Sequence, residues 1–240
     1  MSIIRLQMEG AFSMLKTILD YDNPVMSFIS RLIDLFTLSL LWLLCSLPII
    51  TIGAANCSLY YAVIKSVRHQ RSYPVKEFFK CFRQNIKASL ILCPLFLLLG
   101  IITFCIYFPL ALQLWFTPVL KDKLLAVLLL AGIFLCISLF LWSFPILSRF
   151  DAGILQILEL SLLQMIQSPL TTVIVLLLTV LFLVLVYLEP LLLCILPGLL
   201  CWLLTFLIEP KLNRIYRENF SGEQLEDSDF TLADPWFLKE

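Results

Sequence analysis

The sequence predicts an all-α fold, a polytopic transmembrane helical bundle of five long spans plus one short, with two interfacial amphipathic helices. Three observations predict it. Of 240 residues, 61% are hydrophobic and 14% charged, against about 45–50% apolar and about 25% charged in soluble domains. Several apolar stretches reach the roughly 20 residues that a helix rising about 1.5 Å per residue needs to cross a hydrocarbon core of about 30 Å. No segment shows the alternating pattern of a barrel strand, and lipid demands that each backbone N–H be paired within a helix or a closed barrel.

The long stretches are Phe28–Leu47, Ala88–Leu112, Leu124–Leu147, Leu170–Leu188 and Leu191–Ile208. A weaker one, Ile49–Val67, contains Thr51, Asn56 and Ser58 and reads as a short helix returning from a turn at Pro48. The first 27 residues carry Arg5, Glu9, Lys16, Asp20 and Asp22 without the apolar run and cleavage site of a secretory signal. The division expected is a cytoplasmic N-terminal segment (1–27), a transmembrane domain (28–208) and a cytoplasmic acidic tail (209–240).

Charge sets the orientation. Seven of the 17 Lys and Arg lie between Lys65 and Lys87, which marks that loop as cytoplasmic. With six crossings, 15 Lys/Arg fall inside and only Lys121 and Lys123 outside, whereas five crossings give 12 against five. The distribution favours six, with both termini cytoplasmic and the chain a multi-pass membrane protein.

Two segments are too polar to cross lipid. In Val75–Ala88 the helical wheel sets Lys76, Glu77, Lys80, Arg83, Gln84 and Lys87 on one face and Phe78, Phe79, Phe82 and Ile86 on the other, the pattern of a helix lying at the headgroups. Ala152–Ser168 carries Gln156, Glu159, Gln164 and Gln167 on one narrow stripe and reads as packed against the bundle. After Ile208, Lys211, Arg214 and Arg217 precede an acidic run of Glu218, Glu223, Glu226, Asp227, Asp229 and Asp234.

Three ordered motifs carry a family resemblance: LIDLFTLSLLWLLCSLPIITIGAANCSLYYAVIKSVR from Leu32, EFFKCFRQNIKASL from Glu77, and FPILSRFDAGILQILELSLLQMIQSPLTT from Phe144. In these the chain resembles the YesL family of uncharacterised bacterial membrane proteins, over most of Met26–Ile208. The resemblance implies an association with carbohydrate uptake, since such proteins are often encoded near uptake and polysaccharide-degradation genes. It supplies no catalytic residues. The acidic tail departs from the usual pattern.

Six polar positions are candidates for function. Asp34 near the start of the first span costs roughly 3 kcal/mol if it reaches mid-bilayer; an interfacial ion pair with Arg31 is favoured over a proton-linked site. Asn85 falls amid the aromatic face of its helix and is expected to make an interhelical hydrogen bond. Pro48, Thr51, Gly53 and Asn56 break the apolar pattern, either as a tight hairpin or as non-helical backbone lining a cavity. Arg149 is expected to hold headgroup phosphates, and Asp151 to cap the helix after it. Glu189-Pro190 fits a sharp reversal at the membrane surface.

Enzyme chemistry has little material: there is one histidine, His69, and no phosphate loop, zinc-protease helix or nucleophile elbow. No cofactor or metal site is expected, and the eight cysteines read as small apolar residues. The basic loop needs no nucleic acid to explain it, because the positive-inside bias does so. The expected partners are the lipid bilayer and an ABC-type sugar importer or another membrane protein. Two functions follow: a non-enzymatic accessory or regulatory component of a carbohydrate-uptake system, or a stand-alone small-solute transporter or channel. The second requires a mid-membrane cavity lined by Thr51, Asn56 and Asp34.

Overall fold

Helix α1 (Pro24–Ser46) ends before Pro48, and a 3-10 turn (Ile49–Thr51) reverses the chain into α2 (Ile52–Ala62). The turn is held by Thr51, whose Oγ1 donates to the Cys45 carbonyl at 2.6 Å and lies 2.8 Å from that of Pro48. A π-helical extension, Val63–Arg68, continues α2. There follow α3 (Pro74–Phe116), α4 (Leu120–Arg149), α5 (Ile154–Gln167) and α6 (Pro169–Leu188). A second 3-10 turn (Pro190–Cys194) leads to α7 (Leu196–Phe220). A short antiparallel pairing joins β1 (Phe150–Asp151) to β2 (Thr231–Leu232). This computed structural model describes residues 24–68, 73–116, 120–151, 153–220 and 231–232. The N-terminal segment before Pro24, His69 and most of the acidic tail beyond Phe220 lie outside the described residues.

The helical bundle is therefore as predicted, and the chain has the make-up of a membrane protein. Met26–Ser46, Pro74–Ile106, Leu130–Arg149 and Pro169–Leu188 are each long and apolar enough to cross a membrane.

The weakest predicted span is the centre of the bundle. From Gly53 through Ala62, every residue of α2 but Asn56 is buried. Small side chains allow its neighbours to approach closely: a β-carbon on Gly53 would stand 2.8 Å from the Phe144 ring. Phe144 in turn meets Phe140 edge-on at 4.8 Å, and Phe140 meets Phe96 of α3 at 5.6 Å. Asn56 is matched by Trp42 of α1, whose Nε1 donates to Asn56 Oδ1 at 2.7 Å.

Two expectations are corrected in form. The basic-aromatic segment at Val75–Ala88 is not a separate interfacial helix, because it runs without a break into the following span as the 43-residue α3. At about 1.5 Å per residue that helix is about 64 Å long, twice the hydrocarbon thickness. Its aromatic face also packs inward in part: Phe78 is fully buried and stacks on Phe82, while Phe79 is exposed. The stretch Leu191–Ile208 is not one span either. Pro190–Cys194 takes up its first residues as a turn, and α7 starts only at Leu196 and runs past Ile208 to Phe220.

The start of α7 is fixed by contact with α1. Gly198 N–H donates to Ser39 Oγ at 2.9 Å, and Ser39 Oγ in turn donates to the Leu35 carbonyl at 2.8 Å, with that of Ile195 at 3.2 Å. Helix α5 packs through the fully buried Ile157 together with small polar groups. Ser161 Oγ meets Ser143 Oγ at 3.2 Å, and Gln164 Nε2 donates to Ser168 Oγ at 2.7 Å, while Leu155 and Ile166 point outward. Trp142 Nε1 likewise donates to Thr172 Oγ1 at 3.0 Å, tying α4 to α6. In lipid no hydrophobic force drives the helices together, so these hydrogen bonds add specific adhesion to the van der Waals packing.

A β-carbon at Gly198 would lie 2.6 Å from both the Leu35 carbonyl oxygen and Ser39 Oγ, whereas one at Gly100 would meet nothing within 4 Å. Gly198→Ala is expected to destabilise the detergent-solubilised protein by about 1–3 kcal/mol through overpacking. Gly100→Ala is expected to be neutral or stabilising by up to about 1 kcal/mol through helix propensity. Paired thermal-unfolding measurements check both.

Candidate functional site

One end of the bundle gathers the chain's buried charges. The π-helical extension of α2, the start of α3, the end of α4 and the middle of α7 meet there. Each brings a charged residue from the edge of an apolar stretch, so the hydrophobic packing of the helices brings the charges together.

Arg149 and Glu209 form its centre. They are 4% and 3% exposed, and the Arg149 guanidinium donates to both Glu209 carboxylate oxygens. Arg68, from the π-helical turn, donates to the Thr205 carbonyl at 2.9 Å and lies over the Phe206 ring at 5.0 Å. Lys65 pairs with Glu77 at 3.1 Å and donates to the Tyr61 hydroxyl at 3.2 Å. Tyr60, Tyr61 and Arg68 lie within electrostatic range of Arg149. The buried Tyr60 hydroxyl has no hydrogen-bond partner among the described residues.

Three cations and two carboxylates thus share a site largely closed to water. Removing a charge from water costs several kcal/mol, and a partner must offset it. The bidentate geometry of Arg149 on a carboxylate is the strongest arrangement available to side chains. The network cross-links α2, α3, α4 and α7 and holds their ends in one register. Among the described residues, no three His, Cys, Asp or Glu side chains converge as a metal ion would require.

On the outer surface of α3, Lys76, Phe79, Lys80, Arg83 and Gln84 line a shallow groove. Glu77, the one acidic residue in this turn, is turned inward to Lys65. The charged side chains among the described residues lining the groove are Lys76, Lys80 and Arg83, with Phe79 among them.

The six candidate positions are placed as follows. Arg149 does not face headgroups; it is buried in the ion pair with Glu209. Asn85 makes no interhelical bond, since its Nδ2 donates within α3 to the Cys81 carbonyl at 3.2 Å and Sγ at 3.3 Å. Asp34 is half-buried on α1, and no ion pair joins it to Arg31 among the described residues. Thr51 and Asn56 are committed to the turn and to Trp42. The N-cap of α5 is Gly153, whose N–H donates to Gln156 Oε1 at 2.9 Å, and the side chain of Asp151 lies outside what the structure describes. Among the five of these whose side chains are described, Arg149 alone belongs to the charged network.

Sequence reasoning passed over Glu209, Tyr60 and Arg68 as site residues. A signal existed for the first: Glu209 ends an apolar run directly before Pro210. The same pattern at Glu189-Pro190 is an exposed surface reversal. Only the approach of α4 to α7 distinguishes the two.

Replacing either Arg149 or Glu209 alone with Leu leaves the other charge buried and is expected to cost about 3–5 kcal/mol. The Arg149→Leu/Glu209→Leu double variant is expected to recover a large part of that loss. A double-mutant cycle on thermal stability in detergent measures the coupling.

Residues 35–107, from α1 into α3, match the model of a protein family of unknown function, DUF624, over less than half of the chain. No curated protein and no solved structure matches the chain.

Proposed function

We propose that this chain is a non-enzymatic accessory or regulatory component of a bacterial carbohydrate-uptake system, a YesL-like protein that docks its partner at the membrane boundary. The observation that carries the reading is the basic groove of Lys76, Phe79, Lys80, Arg83 and Gln84. It is presented by a helix that continues directly into an apolar span and is anchored from behind by the Lys65–Glu77 pair. A rigid cationic surface with one exposed aromatic ring suits an acidic face on a neighbouring protein, with charge steering the encounter and the ring supplying apolar area. The match to an uncharacterised family over residues 35–107 overlaps the first two motifs of the resemblance and is consistent with it.

A stand-alone transporter has less support. Its predicted lining residues Thr51 and Asn56 spend their polar groups on the turn and on Trp42, and the rest of α2 is packed against its neighbours.

Mild crosslinking in native cells followed by purification in detergent is expected to co-isolate a sugar permease or its ATPase. Reversing the groove with Lys76→Glu, Lys80→Glu and Arg83→Glu is expected to lower that recovery by about tenfold, from roughly 0.5 kcal/mol per exposed charge pair. Solute flux by the protein alone in liposomes, without any co-isolated partner, contradicts the accessory role.

A further inference from the structure

Cys57 on α2 and Cys81 on α3 are 24 residues apart in the chain, yet their Sγ atoms stand 3.7 Å apart. Both thiols are buried, and among the described residues no second pair of cysteines makes such a contact. The pair is also structured by its surroundings. Asn85 Nδ2 donates to Cys81 Sγ at 3.3 Å, which fixes that side chain one turn before the amide. The Lys65–Glu77 ion pair bridges the same two helices.

We propose that Cys57 and Cys81 are an oxidisable dithiol that closes to a reversible disulfide tethering α2 to α3. The oxidant is a hydroperoxide. A disulfide needs about 2.05 Å between sulfurs, and the two sulfurs already stand in van der Waals contact at 3.7 Å. Cys81 sulfur attacks the terminal oxygen of the hydroperoxide, breaking its O–O bond and releasing an alcohol or water; the product is the Cys81 sulfenic acid. The Asn85 amide N–H supports the negative charge that develops on this sulfur. Cys57 sulfur then attacks Cys81 sulfur, the S–S bond forms, and hydroxide leaves with the Cys57 proton as water. Two electrons pass from the two thiols to the peroxide, and a cellular thiol reverses the step by exchange.

The location suits such chemistry. Cys81 precedes the apolar stretch Ala88–Leu112 and lies between the exposed Lys80 and Arg83. It is thus near the membrane boundary, between lipid and water, and because it is only 2% exposed the oxidant and the reductant act on it when the α2–α3 contact opens locally. The bond would close a loop from α2 to α3 and fix the buried helix against the helix that bears the basic groove.

The test uses the full-length protein in lipid nanodiscs. It is treated briefly with cumene hydroperoxide, denatured with alkylating agent, digested and mapped by mass spectrometry. The expected result is a Cys57–Cys81 linked peptide in most molecules, abolished by dithiothreitol, while Cys45, Cys93 and Cys201 remain alkylated. Oxidation is also expected to raise the melting temperature by about 5 °C, an increase absent from Cys81→Ser. If a serine variant fails to fold, the mapping on the unaltered chain decides alone. Absence of the linked peptide while other cysteines oxidise, or its appearance only within a scramble of pairs, overturns the proposal.

Discussion

The structure depends on how closely other helices can approach α2. Gly53, Ala54, Ala55, Cys57, Ser58 and Ala62 keep its surface low, and the Phe144 ring closes over it at Gly53. In lipid no hydrophobic force drives one apolar helix onto another, so van der Waals contact at short range and hydrogen bonds must hold the bundle. A helix of small residues supplies the first. The Trp42–Asn56, Ser143–Ser161, Trp142–Thr172 and Gly198–Ser39 bonds supply the second.

The same packing explains the charged end. Once α2 is central, its π-helical extension carries Lys65 and Arg68 toward the ends of α3, α4 and α7, where Glu77, Arg149 and Glu209 arrive. A buried ion pair is weak support for stability compared with an apolar replacement, but breaking one side of it is costly. Its effect is therefore on register: helices that slide past one another would separate charges already stripped of water. The outer face of α3 bears Lys76, Lys80 and Arg83 at this same end of the bundle.

Much of this was legible in the residues, and what was not has physical causes. Apolar length identified the four membrane-length helices among the described residues, along with a fifth stretch, Leu191–Ile208, that is not one span, and Pro48 with Thr51 marked the first turn. Sequence periodicity could not show that Ile49–Val67, the least hydrophobic stretch, is the most enclosed, because a buried helix of small residues and a marginal span look alike along the chain. The join of Val75–Ala88 to its span was hidden for a related reason. An amphipathic segment and an apolar one differ in pattern, but nothing between them breaks the helix; Pro94 and Pro109 lie further on and are both accommodated within α3. Arg149 was recognised as a residue needing a partner, and headgroup phosphate was the nearest anion visible. Glu209 lies 60 positions away and becomes its partner only through the meeting of α4 and α7.

The central claim is that Ile52–Arg68 is enclosed by protein although it lies between membrane helices. A photoactivatable diazirine lipid, crosslinked to the protein in a bilayer and mapped by mass spectrometry, reads this directly. Peptides covering Ile52–Arg68 are expected to carry few adducts, while those covering Leu97–Ile106 and Val173–Val184 are heavily labelled. Equal labelling of all three would place α2 against lipid and contradict the packing described.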